Sequence, residues 1–178
     1  MRRFVVLVLS ALLGAGSSIV LVGADSDRTI TIRGDERFVA NTIIQATFRF
    51  SPGPLVVKSG DAVTWTNPAT PEPHSISIVN QGDLPASVED VFMCSVCNDI
   101  LTAHGIGPGG PGPSFTPVLG NAAAHQLQAV GDSFLIGSSS MPGFLPTSVT
   151  ETITAQSGST LYYLCAIHPW MQGTISVN

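Results

Sequence analysis

Leu161-Tyr162-Tyr163-Leu164-Cys165-Ala166-Ile167-His168-Pro169-Trp170-Met171-Gln172-Gly173 is the stretch on which the chain turns. Residues 160–165 form an aromatic and apolar run of strand character, and residues 173–177 read as a second strand. Between them lie Cys165, His168 and Met171, spaced Cys-x2-His-x2-Met. Upstream, short β-rich runs recur: residues 28–33 (RTITIR), 43–50 (IIQATFRF), 55–58, 62–67 (AVTWTN), 75–79 and 148–155 (SVTETITA). Turns at residues 51–54 (SPGP) and 59–61 (SGD), a Pro-rich loop over 68–73 and Gly158 separate them. Short strands punctuated by Gly and Pro predict an all-β sandwich or barrel.

The 178 residues suit one domain; 44% are hydrophobic, only 11% are charged, and 18 Gly and 13 Pro supply turns. A net charge of −5 argues against nucleic acid as a partner. Met1-Arg2-Arg3, the apolar residues 4–13 and Val22-Gly23-Ala24 have the order of a signal peptide, expected over residues 1–24. The competing reading is a retained membrane anchor, because residues 4–22 carry no charge and approach spanning length, although Gly14, Gly16, Ser17 and Ser18 dilute them. Either way residues 25–178 form a single domain outside the cytoplasm, periplasmic or extracellular, and a membrane is a partner only if the segment is kept.

Residues 81–131 break the β rhythm. Ser87-Val88-Glu89-Asp90 resembles a capping box, and Val88, Val91, Phe92, Ser95, Ile100 and Leu101 make a loose helical stripe that should stop near Gly105. The segment is too small to bury a core of its own, so it is expected as a partly helical insertion on the β scaffold.

Cys94 and Cys97 form a CxxC. In an exported protein a disulfide stapling the insertion is expected. A second metal site from Met93, Cys94, Cys97 and His104 is the alternative; a thioredoxin-like centre lacks its βαβ setting. Cys165 is then left over, and its neighbours suggest metal ligation. Sulfur plus imidazole selects copper, and two His, one Cys and a weak axial Met make a mononuclear electron-transfer site. The missing ligand is a second His, from His74, His104 or His125. The last two lie in the insertion and read first as solvated polar residues.

Residues 60–67 (GDAVTWTN) followed by Pro73-His74-Ser75-Ile76 resemble the first half of the copper site in the cupredoxins, the plastocyanin, azurin and amicyanin family. Residues 163–173 (YLCAIHPWMQG) resemble the second half, with an amicyanin-length loop. The resemblance covers residues 48–74 and 148–178. It implies a Greek-key β-sandwich, one type 1 copper, His74, Cys165 and His168 as strong ligands, and Met171 as the axial one. Many cupredoxins place Asn after the first His, where it ties the ligand loops together; here Ser75 stands there with a shorter reach. The resemblance also makes His168 the edge through which electrons leave, with Trp170 either serving a docking patch or packing on the barrel end.

The expected function is a one-electron copper carrier working with redox proteins, not an enzyme. Multicopper oxidases and nitrite reductases bind further copper with many His, and this chain has four. A binuclear centre needs two Cys in the C-terminal loop. An exported copper carrier or sensor, using the same ligands but releasing metal, is the alternative.

Overall fold

The computed structural model describes residues 28–178; the expected leader over residues 1–24 lies outside them. In chain order the strands are β1 (Thr29–Arg33), β2 (Glu36–Val39), β3 (Ile43–Ala46), β4 (Arg49–Ser51), β5 (Pro54–Val57), β6 (Ala62–Thr66) and β7 (His74–Val79). The insertion follows with α1 (Val88–Phe92), α2 (Ser95–Ala103), β8 (Ile106–Gly107), β9 (Gly110–Pro111), β10 (Val118–Leu119) and β11 (Gln126–Leu127). Then come β12 (Ser133–Ile136), β13 (Ser148–Ile153), β14 (Thr160–Leu164) and β15 (Gln172–Val177).

Two sheets face each other. One has the order β11-β13-β6-β1-β4, the other β10-β12-β7-β14-β15-β5. The alternation legible in the sequence sends Ile30, Ile32, Val63, Trp65, Ile76, Ile78, Tyr163 and Ile175 into the space between them. Trp65 is the largest buried side chain there, its ring edge-on to Phe134 at 5.4 Å and to Tyr163 at 6.1 Å. Gly173 pairs with Tyr163 across β14 and β15, and a methyl group at this position would run into the Tyr163 ring.

β7 is buried on both faces. Ile76 and Ile78 belong to the main core, while Val79 packs with Leu164, Ala166, Cys94 and Cys97 in a smaller cluster supported by Leu84, Val96, Ile100 and Leu101. The insertion therefore roofs the outer face of the second sheet, and its β10 and β11 extend one edge of each sheet. Cys94 and Cys97 are joined by a disulfide across the start of α2.

Two expectations change, and one strand of the second sheet was not expected. The single helix over residues 88–104 is two helices, because Cys94 takes an extended backbone between them; Val88 and Phe92 then point to solvent. Ser87 does cap α1, accepting from the Asp90 N–H at 3.1 Å, and Gly105, at φ +74°, follows the end of α2. The run over residues 43–50 splits into β3, in a surface hairpin with β2, and β4 in the sandwich. Asp35 causes the split: its carbonyl accepts from both the Thr47 N–H and the Thr47 hydroxyl, and Phe48 swings into the core. β12 (SFLI) goes unread in the sequence, because it is buried on both faces and shows no alternation.

Candidate metal centre

His74 is the first residue of β7, paired with Ile136 of β12. Cys165, His168 and Met171 lie on the connection from β14 to β15. That loop is wound tightly on itself: the Cys165 N–H donates to the Met171 carbonyl at 3.0 Å, the His168 N–H to the Cys165 carbonyl at 3.2 Å, and the Met171 N–H to the His168 carbonyl at 2.8 Å. His74 and Cys165 are fully buried, Met171 and His168 nearly so. Phe48 closes the site from β4's side, its ring centroid 5.2 Å from His74 and 5.0 Å from His168.

The partners of the two imidazoles fix their tautomers. The Thr70 hydroxyl donates to the Asn67 side-chain carbonyl at 2.5 Å, so towards His74 Nε2, 3.0 Å away, it accepts. The Glu72 carboxylate lies 2.7 Å from His168 Nε2 and accepts its hydrogen. Both rings therefore carry hydrogen on Nε2 and turn a bare Nδ1 inward, the arrangement by which outer partners orient metal-binding His. Asn67 in turn donates to the Glu72 and Gly137 carbonyls, at 2.9 and 2.8 Å, which holds the loop carrying Thr70 and Glu72.

The two Nδ1 atoms are 3.1 Å apart, and Cys165 Sγ is 3.8 Å from that of His74 and 3.7 Å from that of His168. Two lone pairs facing each other at that distance, with no proton to share, repel unless a cation sits between them. The point equidistant from the three atoms lies about 2.1 Å from each, within the ~2.0–2.3 Å of metal–nitrogen and metal–sulfur bonds. The donor set fits one ion, and its softness fits copper.

Burial explains the charges. It pushes His74 down to about 3, helped by the neighbouring His168, and His168 down to about 4, so both imidazoles are neutral ligands at neutral pH. Burial also pushes the Cys165 thiol up to about 11, against hydrogen bonds from the Ser75, His168 and Ile167 backbone that favour the thiolate. The Ser75 N–H donates to the sulfur at 3.3 Å. The Ser75 hydroxyl accepts from the Ala166 N–H at 2.7 Å, so the short Ser side chain does join the two ligand loops.

The sequence-derived candidates separate clearly. His74, Cys165 and His168 come together, with Met171 on the same loop. His104 does not join them and, contrary to the solvated reading, is completely buried, because the insertion folds over it. His125 is exposed, with Nδ1 3.4 Å from Glu151. Cys94 and Cys97 have spent their sulfurs on each other. Trp170 stacks edge-on to the His168 ring at 5.1 Å and remains 41% exposed. Thr70 and Glu72 went unrecognised; their signal is the spacing of polar residues, Asn67-x2-Thr70-x-Glu72-x-His74, in a loop otherwise rich in Pro. Glu36 of β2 shares a hydrogen bond with Glu72, which raises the Glu36 pKa and brings the surface hairpin to the same rim.

A two-sheet sandwich with one His on a core strand and Cys, His and Met on one short loop is the arrangement that the sequence resemblance to the cupredoxins implies, and its donors make a mononuclear soft-metal centre. No protein-family profile and no curated protein sequence matches the chain. Among solved structures it is similar to a purple cupredoxin from Nitrosopumilus maritimus (17% identity over 84% of this chain and 98% of that one, TM-score 0.41). It is also similar to oxidised plastocyanin from Dryopteris crassirhizoma (18%, 84% and 99%, TM-score 0.38) and to amicyanin from Paracoccus versutus (12%, 88% and 86%, TM-score 0.39).

Proposed function

We propose that this protein binds one type 1 copper ion and carries single electrons between redox proteins outside the cytoplasm. The observation that carries the reading is the buried triangle of two bare Nδ1 atoms and one sulfur, sized for a single ion. A copper ion held there supplies the Cu(II)/Cu(I) couple. The chain's part is to keep its donors still: Thr70 and Glu72 lock the rings, three backbone hydrogen bonds lock the loop, and Phe48 excludes water. The Trp170 ring, lying on His168 and open to solvent, gives the donor cluster its contact with a partner.

The Arg2-Arg3 and apolar start and the Cys94–Cys97 disulfide support export to an oxidising compartment. A carrier rather than an enzyme is favoured by the commitment of the remaining His: His104 to a buried hydrogen-bond chain and His125 to Glu151. The test is the visible spectrum of the Cu(II)-loaded protein beside Cys165→Ser and His74→Ala. An intense thiolate-to-copper band lost in both variants is expected; its absence, or survival in either, overturns the reading. Ready surrender of copper to a chelator would point instead to a copper carrier or sensor.

A further inference from the structure

Ser75, Ser77 and Ser133 are buried beneath the insertion, where a hydroxyl without a partner is costly. They satisfy one another. The Ala166 N–H reaches Ser75 Oγ at 2.7 Å; Ser75 Oγ lies 3.0 Å from Ser77 Oγ, Ser77 Oγ 2.7 Å from Ser133 Oγ, and Ser133 Oγ 2.8 Å from His104 Nε2. His104 Nδ1 lies 2.7 Å from the Thr116 carbonyl oxygen.

That carbonyl sets the direction of the whole chain. It can only accept, so His104 carries its hydrogen on Nδ1 and offers a lone pair at Nε2. Ser133 then donates to His104, which leaves its oxygen to accept from Ser77. Ser77, having one hydrogen, must accept from Ser75. Every hydroxyl points from the ligand loop towards the insertion, and aligned bonds of this kind strengthen one another.

Ser75 also stands beside the sulfur: its N–H donates to Cys165 Sγ at 3.3 Å, and its hydroxyl is held 2.7 Å from the N–H of Ala166, the next residue after Cys165. Its single hydrogen cannot serve both Ser77 and the sulfur. We propose that His104 is a positioning residue for the metal centre: through the three serines it draws the Ser75 hydrogen away from the Cys165 sulfur and so holds the reduction potential down. A hydrogen bond to the sulfur would withdraw electron density that Cu(II) needs more than Cu(I), and hydrogen bonding around this atom is a known lever on potential. The effect on potential rests on the copper reading; the direction of the chain does not.

The test has two arms. In the metal-free protein, 15N NMR should find His104 neutral with hydrogen on Nδ1; hydrogen on Nε2, or a charged ring at neutral pH, overturns the proposal. In the copper-loaded protein, Ser77→Ala removes the acceptor of the Ser75 hydrogen, which turns to the sulfur. The potential should rise by about tenfold in the Cu(I) to Cu(II) ratio, 59 mV for one electron. Ser133→Ala, which lets the Ser77 hydrogen turn back towards Ser75, should shift it the same way. Both shifts should vanish in a Ser75→Ala background. A blue protein whose potential ignores Ser77→Ala refutes the coupling while leaving the function intact. If no variant is blue, the copper reading has failed, and the His104 tautomer alone decides whether the directed chain stands.

Discussion

Filling the metal centre should release one proton, not three and not none. With both imidazoles depressed, to about 3 and about 4, His74 and His168 are already deprotonated above pH 5 and have nothing to give up. Cys165, raised to about 11, still holds its proton throughout the ordinary range and must lose it to bind metal. Between pH 5.5 and 8.5 the apparent affinity should therefore climb about tenfold per pH unit, roughly 1.4 kcal/mol each. Below pH 4 the slope should steepen as the two rings begin to compete. Competition against a chelator of known proton affinity measures the slope, and calorimetry in buffers of different ionisation enthalpy counts the proton directly. A flat profile would mean a thiolate formed in advance; a slope of two at pH 6 would mean a charged imidazole in the metal-free site. Either result refutes the electrostatics derived from burial.

The metal-free protein should lose stability in acid: His74 and His168 titrate near 6.5 when unfolded and far lower when folded, so their contribution is whole above pH 6.5 and is lost as pH falls through about 4 and about 3. At pH 5 each should cost roughly 2 kcal/mol in denaturant unfolding, and bound metal should suppress the loss. Gly173→Ala should destabilise by about 1–3 kcal/mol in thermal unfolding, because the new methyl meets the Tyr163 ring. Met171→Leu should keep the thiolate-to-copper colour and raise the potential, since a weak donor that favours Cu(II) is removed; voltammetry reads the shift. Thr70→Val should free His74 Nε2 and remove the hydroxyl's bond to Asn67 in the same loop, lowering metal affinity on the order of 10–100-fold in chelator titration.

The strands that frame the site were legible because each carries its own signal. β6 and β13 alternate and β14 is aromatic, whereas the need for Gly173 opposite the Tyr163 ring follows from the register of β14 on β15. The three soft ligands were legible because they are adjacent in the chain. His74 was not, on its own terms: a single His after a Pro-rich loop says nothing until the resemblance supplies its role. His104 misled because burial under an insertion is a tertiary fact, set by Cys94, Ile100 and their neighbours closing over β7, and a buried His has no local pattern. Residues 75–79 read only as a strand, and the sequence does not show that Ser75 and Ser77 are buried, bonded to each other and to Ser133.

The depth of the donor cluster has a kinetic meaning. None of the ligand side chains stands open to water, Phe48 covers the rings, and the loop that carries three of the ligands is pinned across its own neck by the Cys165–Met171 backbone bond. An ion can arrive or depart only when that loop opens locally, so exchange should run at the pace of a sub-global opening and not at the pace set by ligand bond strength. On the proposed electron-carrying function, electrons would need no such opening, because the Trp170 ring that touches His168 is itself exposed. On that function the same burial would separate two traffics by rate: charge could cross the boundary while mass is held behind it.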